Sequence, residues 1–239
     1  MWFFKKKRAE HALKELVDGL SHSLGSKLVS VILYGSKASG EYREGSSDIN
    51  VFIVLEDVSS ETLDLMAKSI RTWLKAGHPM PVFAQKEELA IYAKSLPVEF
   101  LDMQEHHKLI FGTNLLEGLR VDRANLRSQC LQELAVKQIK LRQSFLVADA
   151  NAKRLREVLL GSLPSILTLY RAVLRLEADV PKGGKIMAAK EIAQRAGADA
   201  DCLERLWNNH IRRQTDNIQD AAHQYLEGVE RVLAYLNRK

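Results

Sequence analysis

Two short apolar runs, Leu28 to Tyr34 (LVSVILY) and Val51 to Leu55 (VFIVL), constrain the fold of this chain more than any other feature. Each is rich in β-branched residues, is bounded by Gly, Ser or Asp, and is too short for a core helix, so both read as buried strands of a covered sheet. Ser59 to Lys75 places Leu63, Met66, Ile70 and Leu74 at helical spacing, with Ser59 or Ser60 as the N-cap and Glu61 in the first turn. A third strand is expected at Val98 to Met103, introduced by Pro97. The first half therefore alternates strand and helix.

From about Asp122 the strand signals stop. Leu131, Leu134, Gln138, Leu141 and Phe145 fall on one helical stripe, and Val158, Leu159, Ser162, Ile166 and Leu169 on another, so the second half is expected to be a helical bundle. Pro164 removes a backbone donor inside the second helix and should bend it. Pro181 to Lys185 (PKGGK) reads as a loop, and a last helix as running from Thr215 to Leu236. The division is expected at residues 1–118 and 119–239. Charge follows it: the first part carries 14 Lys and Arg against 16 Asp and Glu, the second 21 against 14, so the net of +5 comes wholly from a +7 excess in the helical part. Such a surplus can attract phosphate-rich partners, nucleic acid or a protein, although dispersed basic residues on solvated helix faces are the commoner explanation.

With 46% hydrophobic and 27% charged residues, 13 Gly and 5 Pro, the 239-residue chain is excluded from the collagen-like, low-complexity and disordered classes. No uninterrupted apolar run approaches the roughly 18 residues of a membrane span, so a soluble protein without a membrane partner is expected. The N-terminal MWFFKKKRAEHALKEL sets its bulky apolar residues before the basic cluster, the reverse of a secretory signal. Cys130 and Cys202 have no metal-ligand spacing and no second pair, which favours a reducing, cytoplasmic setting.

The segment that carries chemistry is Val31 to Val54, VILYGSKASGEYREGSSDINVFIV. A buried strand ends at Tyr34, turns through Gly35 and Ser36, crosses a polar stretch and re-enters the sheet near Asp48. Glycine lets the backbone approach a bulky anion, and a serine at a helix start offers a hydroxyl and neighbouring amides to phosphate oxygens. Asp48 and residue 50 alternate by two on a strand, so their side chains project from one face as paired metal ligands must. A turn and strand start of an ordinary α/β domain is the plainer reading of the same residues.

The pattern apolar-Gly-Ser, eleven residues, then Asp-Ile-Asn-Val resembles the signature of the DNA polymerase β type nucleotidyltransferase superfamily, especially its small bacterial and aminoglycoside-modifying branch. The resemblance implies an α+β fold: a small mixed-sheet nucleotidyltransferase domain followed by an all-α helical-bundle domain, with the site in the cleft between them. It also implies chemistry, in which a Gly-Ser turn holds the nucleotide triphosphate, two motif carboxylates coordinate divalent ions, and a third carboxylate from a later strand completes the site or acts as base. Carried onto this chain, Gly35, Ser36 and Ser47 hold phosphate, Asp48 is the first metal ligand with help from Asn50, and Glu99 is the third carboxylate, acting as ligand or base. Asp102, on the opposite face of the expected strand, is the second choice. The cofactors implied are Mg²⁺ and an NTP, ATP being favoured; the acceptor is a hydroxyl on a small molecule or macromolecule. The basic bundle argues against a polycationic acceptor.

Asn50 departs from that signature, which places Asp or Glu there. An amide oxygen ligates Mg²⁺ without neutralising it, and a hard cation is held chiefly by anionic oxygen. A loss on the order of 3 kcal/mol would slow transfer by about a hundredfold. The sequence is thus compatible with a weakened transferase or a catalytically inactive nucleotide-binding module. Two weaker constellations are Arg205 to His210, whose spacing resembles the ribonuclease motif of the HEPN helical family, and His106-His107, expected as exposed polar residues. Trp207 and Tyr170 are expected in the bundle core rather than stacked on a base.

Overall fold

The structure, a computed structural model, describes residues 2–39, 49–148, 151–177, 184–212 and 217–239, with the side chains of 2–9, 36, 39 and 209–212 outside that description. The described chain divides into two compact units, Met1–Ser95 with Glu99–Val121, and Leu96–Val98 with Asp122–Lys239.

The first unit is built on a mixed four-stranded sheet. In chain order come helix α1 (Trp2–Leu24), strand β1 (Leu28–Tyr34), a single helical turn α2 (Ser36–Ser39), β2 (Asn50–Leu55), α3 (Ser60–Lys75), β3 (Val82–Gln85), α4 (Leu89–Ser95), α5 (Pro97–Glu105) and β4 (His107–Gly112). The sheet order is β3-β2-β1-β4; β1 runs antiparallel to both neighbours, while β2 and β3 are parallel, joined across α3. Alternation along the strands gives the sheet two apolar faces. Val31, Leu33, Val51, Ile53 and Leu55 pack under Leu16, Leu20 and Leu24 of α1 and Met66, Ile70 and Trp73 of α3. Ile32, Phe52 and Val54 face Leu89 and Ala93 of α4 and Phe100 and Met103 of α5. Both central strands are thus covered on both sides, which is why they read as continuous apolar runs.

Helix α3 is capped as its sequence suggests, the Ser59 side chain accepting from the Thr62 N–H. Its buried stripe runs through Thr62, Met66, Ile70 and Trp73 rather than through Leu63 and Leu74, which flank it half exposed. Asp57 locks this start: its carboxylate accepts from the Ser59 and Thr62 hydroxyls, each at 2.5 Å, and lies 3.3 Å from Lys27 Nζ. These hydrogen bonds hold the Asp57 carboxyl well below its usual range.

Residues 97–103, expected as a strand, form helix α5 instead. Pro97 occupies the first helical position, where its fixed φ suits the helix and its missing N–H is not needed, and Glu99 lies in the first turn, favourable to the helix dipole. The same two residues that suggested a strand opening are a helix-start signal.

The second unit consists of α6 (Arg123–Ala148), α7 (Ala152–Leu176), α8 (Lys185–Arg195), α9 (Ala200–Arg212) and α10 (Ile218–Asn237). Helix α7 is its centre: α6, α8, α9 and α10 all pack on it, and Leu155, Leu159, Leu163, Ile166, Leu169 and Tyr170 are buried along its length. It continues through Pro164. By length and composition α7 is apolar enough to cross a membrane, but 56% of its apolar window is buried inside the protein, as a core helix requires. On α6 the buried stripe is Leu126, Cys130, Leu134, Leu141 and Ala148. Most of the expected PKGGK loop lies outside the described residues; Gly184 caps α8.

Candidate functional site

The end of β1 gathers the polar groups of the first unit. Tyr34, its last residue, lies opposite Asn50 of β2 on one side and His107 of β4 on the other. The next residue must leave the sheet sharply, and Gly35 does so with φ +76°, a left-handed conformation that costs a residue with a Cβ about 1 to 2 kcal/mol. The turn is anchored at once: the Gly35 N–H donates to the His106 carbonyl at 3.0 Å, and the Ala38 N–H donates to the Gly35 carbonyl at 2.9 Å, closing α2. A Cβ built on Gly35 would lie 3.1 Å from Nδ2 of Asn50, so the absence of a side chain at 35 is what lets the amide of Asn50 lie against the turn.

Strand alternation places Asn50 on the same face as Phe52 and Val54, and Tyr34 on the same face as Ile32; this is the face that α5 covers. Burial raises the Tyr34 phenol above its ordinary pKa, and the negative charges of Asp102 and then Glu99 add to the rise. The α5 carboxylates therefore sit within electrostatic reach of the β1 end. On a helix Glu99 and Asp102, three residues apart, are neighbours on one side, which corrects the opposite-face placement expected of a strand. They differ in exposure: Glu99 is exposed, whereas the Asp102 side chain is only 13% accessible and lies 3.7 Å from Nδ1 of His106 one turn on.

The adjacent histidines diverge, as residues of an extended segment do, but neither is exposed. His106 pairs with Asp102, and His107 places Nδ1 3.0 Å from the Gln104 carbonyl and Nε2 2.9 Å from Nδ2 of Asn114. Both serve to fix the junction of α5 and β4, and His106 thereby fixes the carbonyl that receives Gly35. Tyr34 was not singled out by sequence, and His106 only as an exposed polar residue; the clue available was that Tyr34 immediately precedes the Gly-Ser turn.

Asp48 and Ser47 lie outside the described residues, and Ser36 is described by its backbone only. Strand β2 begins at Asn50. Strands β3 (VFAQ) and β4 (HKLIFG), which follow β2 in the chain, carry no Asp or Glu; the carboxylates that act on Tyr34 at this end of β1 come from α5. Among the described residues no group of three or more His, Cys, Asp or Glu converges as a metal cage would require. Among the described residues this end of β1 offers the Asn50 amide and the α5 carboxylates, oxygen donors of the type that suits a hard cation.

In the bundle, Arg205 of the Arg205 to His210 pattern is engaged by Asp199 at 3.1 Å and by Gln224 at 2.8 Å, while the His210 side chain lies outside the described residues. Tyr170 is core, and burial holds its phenol well above the ordinary range.

Comparison with known proteins bears on the fold and the family. A structure of spectinomycin adenyltransferase from Enterococcus faecialis, determined with ATP and spectinomycin, superposes with a TM-score of 0.59 over 92% of this chain and 99% of that one at 12% identity, which establishes a shared fold. A protein of Methanocaldococcus jannaschii, named as a candidate protein adenylyltransferase, is 35% identical over 80 residues, covering 34% of this chain and 76% of that protein. The family model for the nucleotidyltransferase domain matches residues 13–142, from α1 through most of α6 and across the whole sheet. That span exceeds half of the sequence, and with it the chain belongs to the nucleotidyltransferase domain family.

Proposed function

We propose that the protein transfers a nucleoside monophosphate from an NTP, ATP being the favoured donor, to a hydroxyl acceptor with release of pyrophosphate. The acceptor oxygen forms a bond to the α-phosphorus, the bond from that phosphorus to the bridging oxygen of the β-phosphate breaks, the acceptor proton passes to a carboxylate, and pyrophosphate leaves. The observation that carries this reading is the Gly35 turn: a left-handed residue at the end of a buried strand, pinned to the start of β4 and facing the amide of Asn50. ATP is favoured because both relatives are named for adenylyl transfer and one was determined with ATP.

In this reading Gly35, Ser36 and Ser47 hold phosphate, and Asp48 and Glu99 lie on the side of the divalent ion. The ion, Mg²⁺ in the ordinary case, would offset charge on the triphosphate and its leaving group. Glu99, the exposed α5 carboxylate, takes the acceptor proton, while the more buried Asp102 holds His106 and, through its carbonyl, the turn. The two relatives differ in acceptor, one being named for protein and the other determined with spectinomycin, so the acceptor class is open to direct assay. ATP labelled on the α-phosphate, incubated with the protein, Mg²⁺ and separated protein and small-molecule fractions of a cell extract, should label one fraction and release pyrophosphate in equal amount. Asp48→Ala should abolish both. Absence of label and of pyrophosphate with either fraction, in Mg²⁺ or Mn²⁺, would overturn the reading.

A further inference from the structure

Position 50 is where a divalent-ion site would be expected to place negative charge, and the structure puts something else there. A carboxylate only accepts hydrogen bonds at neutral pH, whereas an amide offers one acceptor oxygen and two N–H donors. The end of Asn50 that lies against the Gly35 turn is the nitrogen, 3.1 Å from the position a Gly35 Cβ would take. Two of the turn's own amides are already used, the Gly35 N–H by the His106 carbonyl and the Ala38 N–H by the Gly35 carbonyl, and the Asn50 N–H is a further donor beside them. Neither strand after β2 carries Asp or Glu, and of the two α5 carboxylates that act on Tyr34 one, Asp102, pairs with His106.

We propose that Asn50 is a phosphate-binding donor rather than a metal ligand, and that the site takes a single divalent ion, the one that arrives with the nucleotide. This rests on the nucleotide-binding reading above and deepens it. Part of the triphosphate charge is then met by the N–H of a neutral side chain, and nucleotide affinity depends less on metal than it would with two carboxylates facing the phosphates.

The test uses α,β-methylene-ATP, which binds without being cleaved, measured by calorimetry in EDTA and in Mn²⁺, with bound Mn²⁺ counted by electron paramagnetic resonance. The wild type should bind the analogue in EDTA and take one Mn²⁺ per chain in its presence. Asn50→Asp should lose metal-free binding by about tenfold or more, as a charged group replaces a donor facing phosphate, and should take a second Mn²⁺. Asn50→Ala should show the first loss without the second gain, which separates loss of the donor from gain of a charged ligand. Two Mn²⁺ per wild-type chain, or metal-free binding unchanged in both variants, would overturn the inference while leaving transfer intact. No binding of the analogue by the wild type under either condition would overturn the nucleotide reading and this inference with it. The wild-type ion count needs no variant to fold.

Discussion

The two units differ in what surrounds their shifted side chains. In the bundle they lie deep in the core: the Tyr225 hydroxyl lies 3.1 Å from Ser162 Oγ, Tyr170 is fully buried, and burial pushes the Cys202 thiol up to about 11. In the sheet unit Tyr34 is half buried at a strand end, and the unusual feature is the backbone, with Gly35 left-handed beside Asn50 and the α5 carboxylates within reach of Tyr34. A strongly shifted pKa by itself thus marks structure in one unit, where desolvation is the leading cause. In the other, a modest shift coincides with a constrained turn and a family signature. Geometry, more than the size of a shift, separates a site from a core.

That contrast is open to attack by substitution. The largest effect is expected at Gly112, where β4 ends at φ +78° and an added Cβ would lie 1.9 Å from the Val29 carbonyl oxygen. Gly112→Ala should destabilise the sheet unit by about 3 kcal/mol or more, read as a lowered urea midpoint. In the bundle, Leu163→Ala empties a fully buried position of α7 and should cost about 2 to 5 kcal/mol, yet leave nucleotide affinity per folded molecule unchanged. A comparable affinity loss there would break the division of labour. Gly35→Ala should show the reverse balance, with about 1 to 2 kcal/mol of stability lost but nucleotide affinity reduced by about tenfold or more, measured by calorimetry on protein shown to be folded.

The smallest effect concerns the exposed Asp57 lock. Its folded pKa is depressed below the ordinary 3.8, so its contribution is present above that value and is lost as pH falls through the folded value. Asp57→Asn should flatten the acid side of the stability curve below about pH 4 and leave nucleotide binding at neutral pH untouched, as melts across pH 2 to 7 would record.

Much of this was legible before any coordinates. β1 and β2 declared themselves because strands covered on both faces need unbroken apolar runs, and α3 because Ser59 caps a periodic stripe. Gly35 and Asn50 were visible as a turn and a departure from a signature. The α5 segment was misread because Pro97 and an apolar-acidic mixture suit either a strand opening or a first helical turn, and only its packing against Phe52 and Ala93 decides. β3 escaped notice because it is a four-residue edge strand whose Val82 and Phe83 are partly exposed, so its pattern lacks the hydrophobic signal of a core strand. The link from Asp102 through His106 to Gly35 could not be read at all, since its last step is a main-chain hydrogen bond between residues 71 positions apart.

Amide hydrogen exchange with and without Mg²⁺ and α,β-methylene-ATP tests the central assignment most directly. The strongest slowing is expected in peptides covering Tyr34 to Ala38 and the start of β2 at Asn50. Nucleotide binding that leaves those amides exchanging at their free rates would contradict the account.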